Sequence, residues 1–210
     1  MSSLPTIIIV WESLEIPFIF LWGEVFSLKT LSPFIFLQFS KLQGQEINIV
    51  LSIKFGIRLF IVAKENGCTT ILNPAPASEI SNEFYNNIDF FTPNETEAEF
   101  YTGIKITNDQ EAKQAADKLI NLGIKKVIIT LGEKGLFYSD GKEEIYLKAN
   151  SVKAIDTTGA GDAFNGGLAY GLSKEKPIKE CLKLANKVAG ISTTKLGAGD
   201  AMPFSSDIKW

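Results

Sequence analysis

The sequence predicts an α/β protein built on a mostly parallel central sheet with helices on both faces. Three observations carry this expectation. Short apolar segments alternate with helical patterns of roughly 10 to 15 residues, the rhythm of parallel strands joined by crossover helices. Val127 to Leu131 is an unbroken, largely β-branched run, as a strand buried on both faces requires. Three polar clusters, Asn94 to Glu97, Thr130-Leu131-Gly132 and Gly159 to Asp162, each follow a predicted strand. They would then lie at the carboxyl ends of the strands, where open α/β sheets bind ligands.

Residues 1–46 form an atypical segment dominated by Phe, Leu and Ile, as in Ile16 to Trp22 and Leu31 to Phe39. Glu12, Glu15, Glu24 and Lys29 interrupt it, so no stretch reaches the ~18–20 apolar residues of a membrane span. Met1 to Pro5 lacks the basic start of a signal peptide. Short strands or a loosely packed arm are expected here. Residues 47–210 form the regular domain. Apolar positions at helical spacing predict a helix over Ile47 to Glu65, stopped by Asn66-Gly67. Thr69 to Leu72 is a strand closed by Asn73-Pro74-Ala75-Pro76, Glu83 to Ile88 a short helical piece, and Phe90 to Thr92 a second buried strand. A helix begins at Asn94 and ends at Gly103. Asn108 with Glu111 three residues on makes a capping-box start to the next helix, which stops at Gly123. Asp140-Gly141 between Leu136–Ser139 and Glu144–Leu147 is a hairpin turn. Val152 to Ile155 is a further apolar strand, Ala163 to Leu172 a small-residue, buried helix, and Pro177 to Ile191 the last long helix.

Composition excludes several functions. The net charge is −3 and there is no run of Lys or Arg, so neither a nucleic acid nor a membrane surface is an expected partner. Histidine is absent, which removes Ser-His-Asp triads and His metal sites. Cys68 and Cys181 are isolated thiols, as in a reducing, cytoplasmic setting.

The chain is organised around Asp156-Thr157-Thr158-Gly159-Ala160-Gly161-Asp162-Ala163-Phe164. A Gly-rich turn opening onto a helix leaves backbone N–H groups free at the positive end of the helix dipole, ready for an anion. Asp162 supplies an acid in the first turn, and a helix N-terminus favours its ionised form at neutral pH. Other phosphate motifs are absent. There is no GxxxxGK[ST], and Phe164 stands where GxGxxG would need its last glycine. GxSxG is missing too.

In its full length this stretch resembles the second signature of the PfkB (ribokinase-like) carbohydrate kinases. Asn73-Pro74-Ala75-Pro76-Ala77 and Thr92-Pro93-Asn94-Glu95-Thr96-Glu97-Ala98-Glu99 extend the likeness, which runs from about Ala63 to Pro203. The resemblance implies a three-layer α/β/α fold with a mostly parallel central sheet, whose N-terminal strands and lid are largely missing here. It implies transfer of the ATP γ-phosphate to D-ribose, giving D-ribose 5-phosphate. Asp162 would be the catalytic base beside the sugar hydroxyl, and Gly159, Ala160 and Gly161 the anion hole. Asn94 would bind nucleotide phosphate and Glu97 a hydrated Mg²⁺. The same i, i+3 spacing also fits a helix cap with a capping-box Glu, and both readings stand. Thr130, Gly132 and Gly135 would lie under the nucleotide, and Asn186 with Gly197 at the adenine. Asp156 and Thr158, with Ser192, Lys195 and Gly197, would hold an activating K⁺. Ala201 stands where the family usually carries a Ser ligand. Of the family's sugar-binding first third only Glu46 has a counterpart, so two other outcomes are weighed. One is an impaired fragment that binds nucleotide alone, and the other a sibling kinase for fructose or a nucleoside.

Overall fold

The computed structural model describes residues 60–204, 207 and 208 in full, and the backbone of residues 7–11, 18–22, 37–39 and 47–50. A single nine-stranded sheet runs through it. Its strands are β1 (Ile7–Trp11), β2 (Phe18–Trp22), β3 (Leu37–Phe39), β4 (Ile47–Val50), β5 (Thr69–Asn73), β6 (Phe90–Phe91), β7 (Lys126–Thr130), β8 (Leu136–Ser139) and β9 (Glu144–Leu147). In space the order is β3-β4-β2-β1-β5-β6-β7-β8-β9. The central block β1-β5-β6-β7 is parallel. Antiparallel strands flank it on both sides, β2, β4 and β3 at one edge and β8 and β9 at the other. The sheet is therefore mixed, with its parallel part where the predicted crossovers lie. Residues 1–46, set apart by composition, supply β1 to β3, and β1 pairs directly with β5.

Four helices follow the sequence signals closely. Asn94 caps α1 (Glu95–Thr102), and Gly103 ends it in the left-handed conformation at φ 70°. Asn108 caps α2 (Asp109–Asn121) with the expected capping box. The remaining two are α3 (Ala160–Ser173) and α4 (Ile178–Ser192).

Strand alternation sorts the core into two layers. Leu72, Phe91, Val127, Ile129 and Phe137 pack with Ala98 of α1 and with Ala112, Ala115, Ala116 and Leu119 of α2. Ile71, Phe90, Ile128, Leu136, Tyr138 and Ile145 pack with Phe164 and Leu168 of α3 and Cys181, Leu182 and Ala185 of α4. The result is the expected α/β/α sandwich. Among the described residues no helix is long and apolar enough to cross a membrane.

Two local expectations are corrected. The helix over Ile47 to Glu65 is instead strand β4 at Ile47–Val50, and residues 60–65 are helical. Ile47 and Ile49 alternate with Asn48, a period of two, and pairing with β2 and β3 decides the outcome. Residues 51–59 and Glu46 lie outside the described residues. Val152 to Ile155 is not a strand. The Ile155 N–H bonds Thr193 O at 2.7 Å, not a sheet neighbour, and Val152 and Ile155 are exposed.

Candidate active site

Asp162 occupies the first turn of α3, half-buried and three residues before the buried Asn165. Gly159 is the N-cap at φ 78°, a left-handed conformation that only glycine adopts without strain. A Cβ there would also stand 3.1 Å from the Cβ of Ala198, so loop 193–202 lies directly against the turn. The Ala160 N–H bonds Thr157 O at 3.1 Å. Ala160, expected to line the anion hole, therefore has its N–H engaged, and those of Gly161 and Asp162 have no acceptor among the described residues. The Asp162 carboxylate makes no hydrogen bond or ion pair within the described structure. Burial pushes its pKa up to about 6. This overturns the direction expected from the helix N-terminus, because desolvation outweighs the dipole where no donor reaches the carboxylate.

Asn94 and Glu97 form a complete capping box. Asn94 Oδ1 accepts from the Glu97 N–H at 2.9 Å, and Glu97 Oε2 accepts from the Asn94 N–H at 2.8 Å. The capping reading is thus realised in the fold. It leaves the second oxygen of Glu97 and the NH₂ of Asn94 uncommitted. Glu97 is buried, with no cation paired to it among the described residues, and burial holds its carboxyl above the ordinary range against the partial opposition of the Asn94 N–H.

The clusters at the carboxyl rim are brought together by specific bonds. Asn94 pairs with Thr130 in an isolated parallel bridge, and the Thr130 N–H bonds Pro93 O at 2.9 Å. This joins the Asn94/Glu97 cap to the Thr130-Leu131-Gly132 loop. Thr92, at the end of β6, donates through its hydroxyl to Asn165 Oδ1 at 2.9 Å. Asn165 Nδ2 in turn donates to Gly161 O at 2.9 Å. The Gly159–Asp162 turn is thereby fixed to the strand end that leads into Asn94. Neither Thr92 nor Asn165 was singled out from the sequence, although Thr92 opens one of the stretches that carry the resemblance and Asn165 directly follows another.

Other expected residues sort less evenly. Asp156 accepts the Thr158 N–H on Oδ1 and the Gly197 N–H on Oδ2, each at 2.9 Å. It draws the two halves of the supposed cation site together. The Ser192 carbonyl takes the Lys195 N–H at 3.4 Å, and Ala201, fully buried, brings no side-chain oxygen. Asn186 uses its NH₂ on Lys148 O at 2.7 Å, holding the exit of β9 against α4. Gly132, at φ 53°, opens onto free space. Gly135 is explained otherwise than by a nucleotide. A Cβ there would fall 1.9 Å from Leu147 O, so the β8–β9 hairpin demands glycine.

Comparison with known proteins gives the same picture. Residues 26–205 match the pfkB family of carbohydrate kinases, reaching further toward the N-terminus than the motifs do. The chain is 46% identical over 142 residues to a ribokinase of Haemophilus influenzae, covering 68% of this chain and 46% of that protein. It is 40% identical over 153 residues to a ribokinase of Staphylococcus aureus, covering 72% and 50%. A deoxyribokinase of Salmonella typhi is 34% identical, over 78% of this chain and 51% of that one. Among solved structures, Arabidopsis thaliana ribokinase complexed with ribose and ATP superposes with TM-score 0.69 at 31% identity, covering 73% of this chain and 50% of that one. The chain spans about half the length of the curated relatives it matches.

Proposed function

This chain belongs to the pfkB family of carbohydrate kinases, and we propose that it acts as a ribokinase-type phosphotransferase, moving the γ-phosphate of ATP to the 5-hydroxyl of D-ribose. One observation carries the reading. A half-buried carboxylate, Asp162, unpartnered among the described residues, sits at an open helix N-terminus that the Thr92–Asn165 bond fastens to the Asn94/Glu97 cluster. Asp162 takes the proton of the attacking hydroxyl as the sugar oxygen bonds to phosphorus and the bond from phosphorus to the β-phosphate oxygen breaks. ADP leaves with that electron pair, and the proton passes from Asp162 to solvent. With a pKa of about 6, Asp162 is ionised at neutral pH yet more basic than an exposed carboxylate. The N–H groups of Gly161 and Asp162 face the charge of the transferring group. Such fixed donors and the alignment of the reactants supply most of the acceleration in phosphoryl transfer.

Magnesium arrives with ATP as part of the substrate. The uncommitted oxygen of buried Glu97 suits the hydration shell of such a cation, and the Asn94 NH₂ suits a phosphate oxygen. Asp156, with Thr158 and the carbonyls of Ser192, Lys195 and Gly197, would hold a monovalent cation, K⁺ by preference, beside the anion hole.

The ribokinases among the similar proteins favour ribose, and the deoxyribokinase makes 2-deoxyribose the competing acceptor. The protein should be incubated with Mg·ATP and ribose, 2-deoxyribose, fructose or adenosine, and the products followed by mass spectrometry. Ribose 5-phosphate formation, abolished in Asp162→Asn, is the expected result. A different preferred acceptor would replace ribose. Nucleotide binding without any transfer would reduce the function to nucleotide binding.

A further inference from the structure

Among the described residues, every buried Ser, Thr, Asn, Asp and Glu side chain but one is hydrogen-bonded within the protein. The exception is Asn73. Only 4% of it is exposed, and its side-chain amide has no partner. Buried amides left unsatisfied are rare in folded proteins and call for a specific reason.

Its position supplies one. Asn73 is the last residue of β5, at the carboxyl rim where the candidate site lies. The parallel register pairs Ile71 with Phe90 and Leu72 with Phe91, so the next step brings Asn73 level with Thr92. Alternation puts Asn73 on the face of Ile71, and Ile71 packs against Phe164 and Leu168 of α3. Thr92 shares that face and holds Asn165 of the same helix. Asp162 lies three residues before Asn165, hence on the same side of α3 and nearer the open rim. Asn73, Thr92 and Asn165 therefore form a polar floor beneath Asp162. Two of the three have used their groups: the Thr92 hydroxyl on Asn165, and the Asn165 NH₂ on Gly161 O. Asn73 keeps both donor and acceptor.

A group offering one donor and one acceptor side by side matches a sugar hydroxyl, which needs both, better than a phosphate, which only accepts. We propose that Asn73 is a substrate-contacting residue, hydrogen-bonding a hydroxyl of the acceptor sugar next to the one Asp162 deprotonates. This rests on the sugar-kinase reading above.

The test compares the wild type with Asn73→Ala by calorimetric titration of ribose and of ADP, together with thermal unfolding of the unliganded proteins. The substitution should weaken ribose about tenfold or more and leave ADP within about twofold. Because it deletes an amide that bonds nothing among the described residues, the melting temperature should hold or rise. Asn73→Asp, which keeps an acceptor and loses the donor, should bind ribose less well than the wild type. Unchanged ribose affinity in Asn73→Ala overturns the assignment and leaves the kinase reading intact. A melting temperature lowered by roughly 4 °C or more, with both ligands weakened alike, also overturns it and makes Asn73 structural. A wild type that binds ADP and no sugar overturns the kinase reading, and the Asn73 contact with it.

Discussion

The hydroxyl of Thr92 donates to the side-chain oxygen of Asn165 across 2.9 Å, and both residues are buried. This bond fastens the carboxyl end of β6 to the second turn of α3. Through Asn165 Nδ2 and Gly161 O it reaches the backbone of the proposed anion hole. Asn94 follows Thr92 by two residues, so one buried link sets the spacing between the two halves of the candidate site.

Breaking that link should cost activity more than stability. Thr92→Val leaves the Asn165 oxygen unsatisfied and should destabilise the fold by about 1–3 kcal/mol. At a temperature where the variant is fully folded, kcat should still fall at least tenfold while KM for ATP changes little. Thr92→Ser, which restores the hydroxyl, should recover most of the rate. Steady-state kinetics beside a urea melt checks this. A rate loss no larger than the loss of folded protein would reduce the pair to packing.

Asp162 predicts two pH effects of opposite sense. Transfer requires the ionised form, so kcat/KM should rise with pH through about 6 and level off above it. Stability should run the other way. The folded value, about 6, lies above the ordinary 3.8, so the folded state binds the proton more tightly than the unfolded one. This contribution is most favourable below the unfolded value and is lost as pH rises through the folded one. Asp162→Asn removes the half-buried charge. It should abolish transfer, melt higher than the wild type at pH 8 and lose that advantage near pH 4. A variant that melts no higher at pH 8 would show that Asp162 carries no desolvation penalty.

Gly132 and Gly135 sit in one loop for different reasons, and substitution should separate them. Alanine at Gly135 places its Cβ 1.9 Å from Leu147 O and 2.6 Å from Ala149 N, at φ 109°. It should destabilise by on the order of 2–4 kcal/mol, with any effect on ATP secondary to that. Alanine at Gly132 meets nothing within 4 Å and faces only the left-handed φ of 53°, a cost of roughly 1–2 kcal/mol. If Gly132 approaches the nucleotide, its variant should lose ATP affinity while remaining folded at 25 °C. Denaturant unfolding and nucleotide titration of the two variants distinguish these outcomes. Equal stability of both would contradict the Gly135 assignment.

What the sequence disclosed was local. Asn94 to Gly103 and Asn108 to Glu111 declare their helices because a cap is written in neighbouring residues, and the structure keeps both capping boxes. The short pairing of Phe90–Phe91 was legible because Pro93 stops it. What stayed hidden depends on distant partners. Ile47–Val50 is a strand because β2 and β3 take its hydrogen bonds, whereas its apolar spacing also fits a helix. Val152 to Ile155 has the composition of a strand and no neighbour to pair with. The Asp162 pKa follows from burial, which no local signal reports. Asn73 opens one quoted stretch and Asn165 follows another, and only the sheet register and the Thr92–Asn165 bond bring them to one side of the sheet.

Glu97 serves the helix cap and, in the proposed function, the cation that accompanies ATP. A single conservative substitution separates the two. In Glu97→Gln the side-chain oxygen still accepts the Asn94 N–H, now 2.8 Å from Oε2, so the capping bond survives and the charge is gone. Because burial already disfavours that charge, stability should stay within about 0.5 kcal/mol of wild type or rise. Glu97→Ala removes the bond as well and should cost about 1 kcal/mol, the usual worth of a helix cap. If Glu97 is only a cap, Glu97→Gln should phosphorylate ribose like the wild type at every magnesium concentration. The expected result is different: activity at least tenfold lower at limiting magnesium, partly recovered as magnesium is raised, on a protein that melts normally. Magnesium titrations of initial rate for the wild type and Glu97→Gln decide between them, and superimposable curves would leave Glu97 with the cap alone.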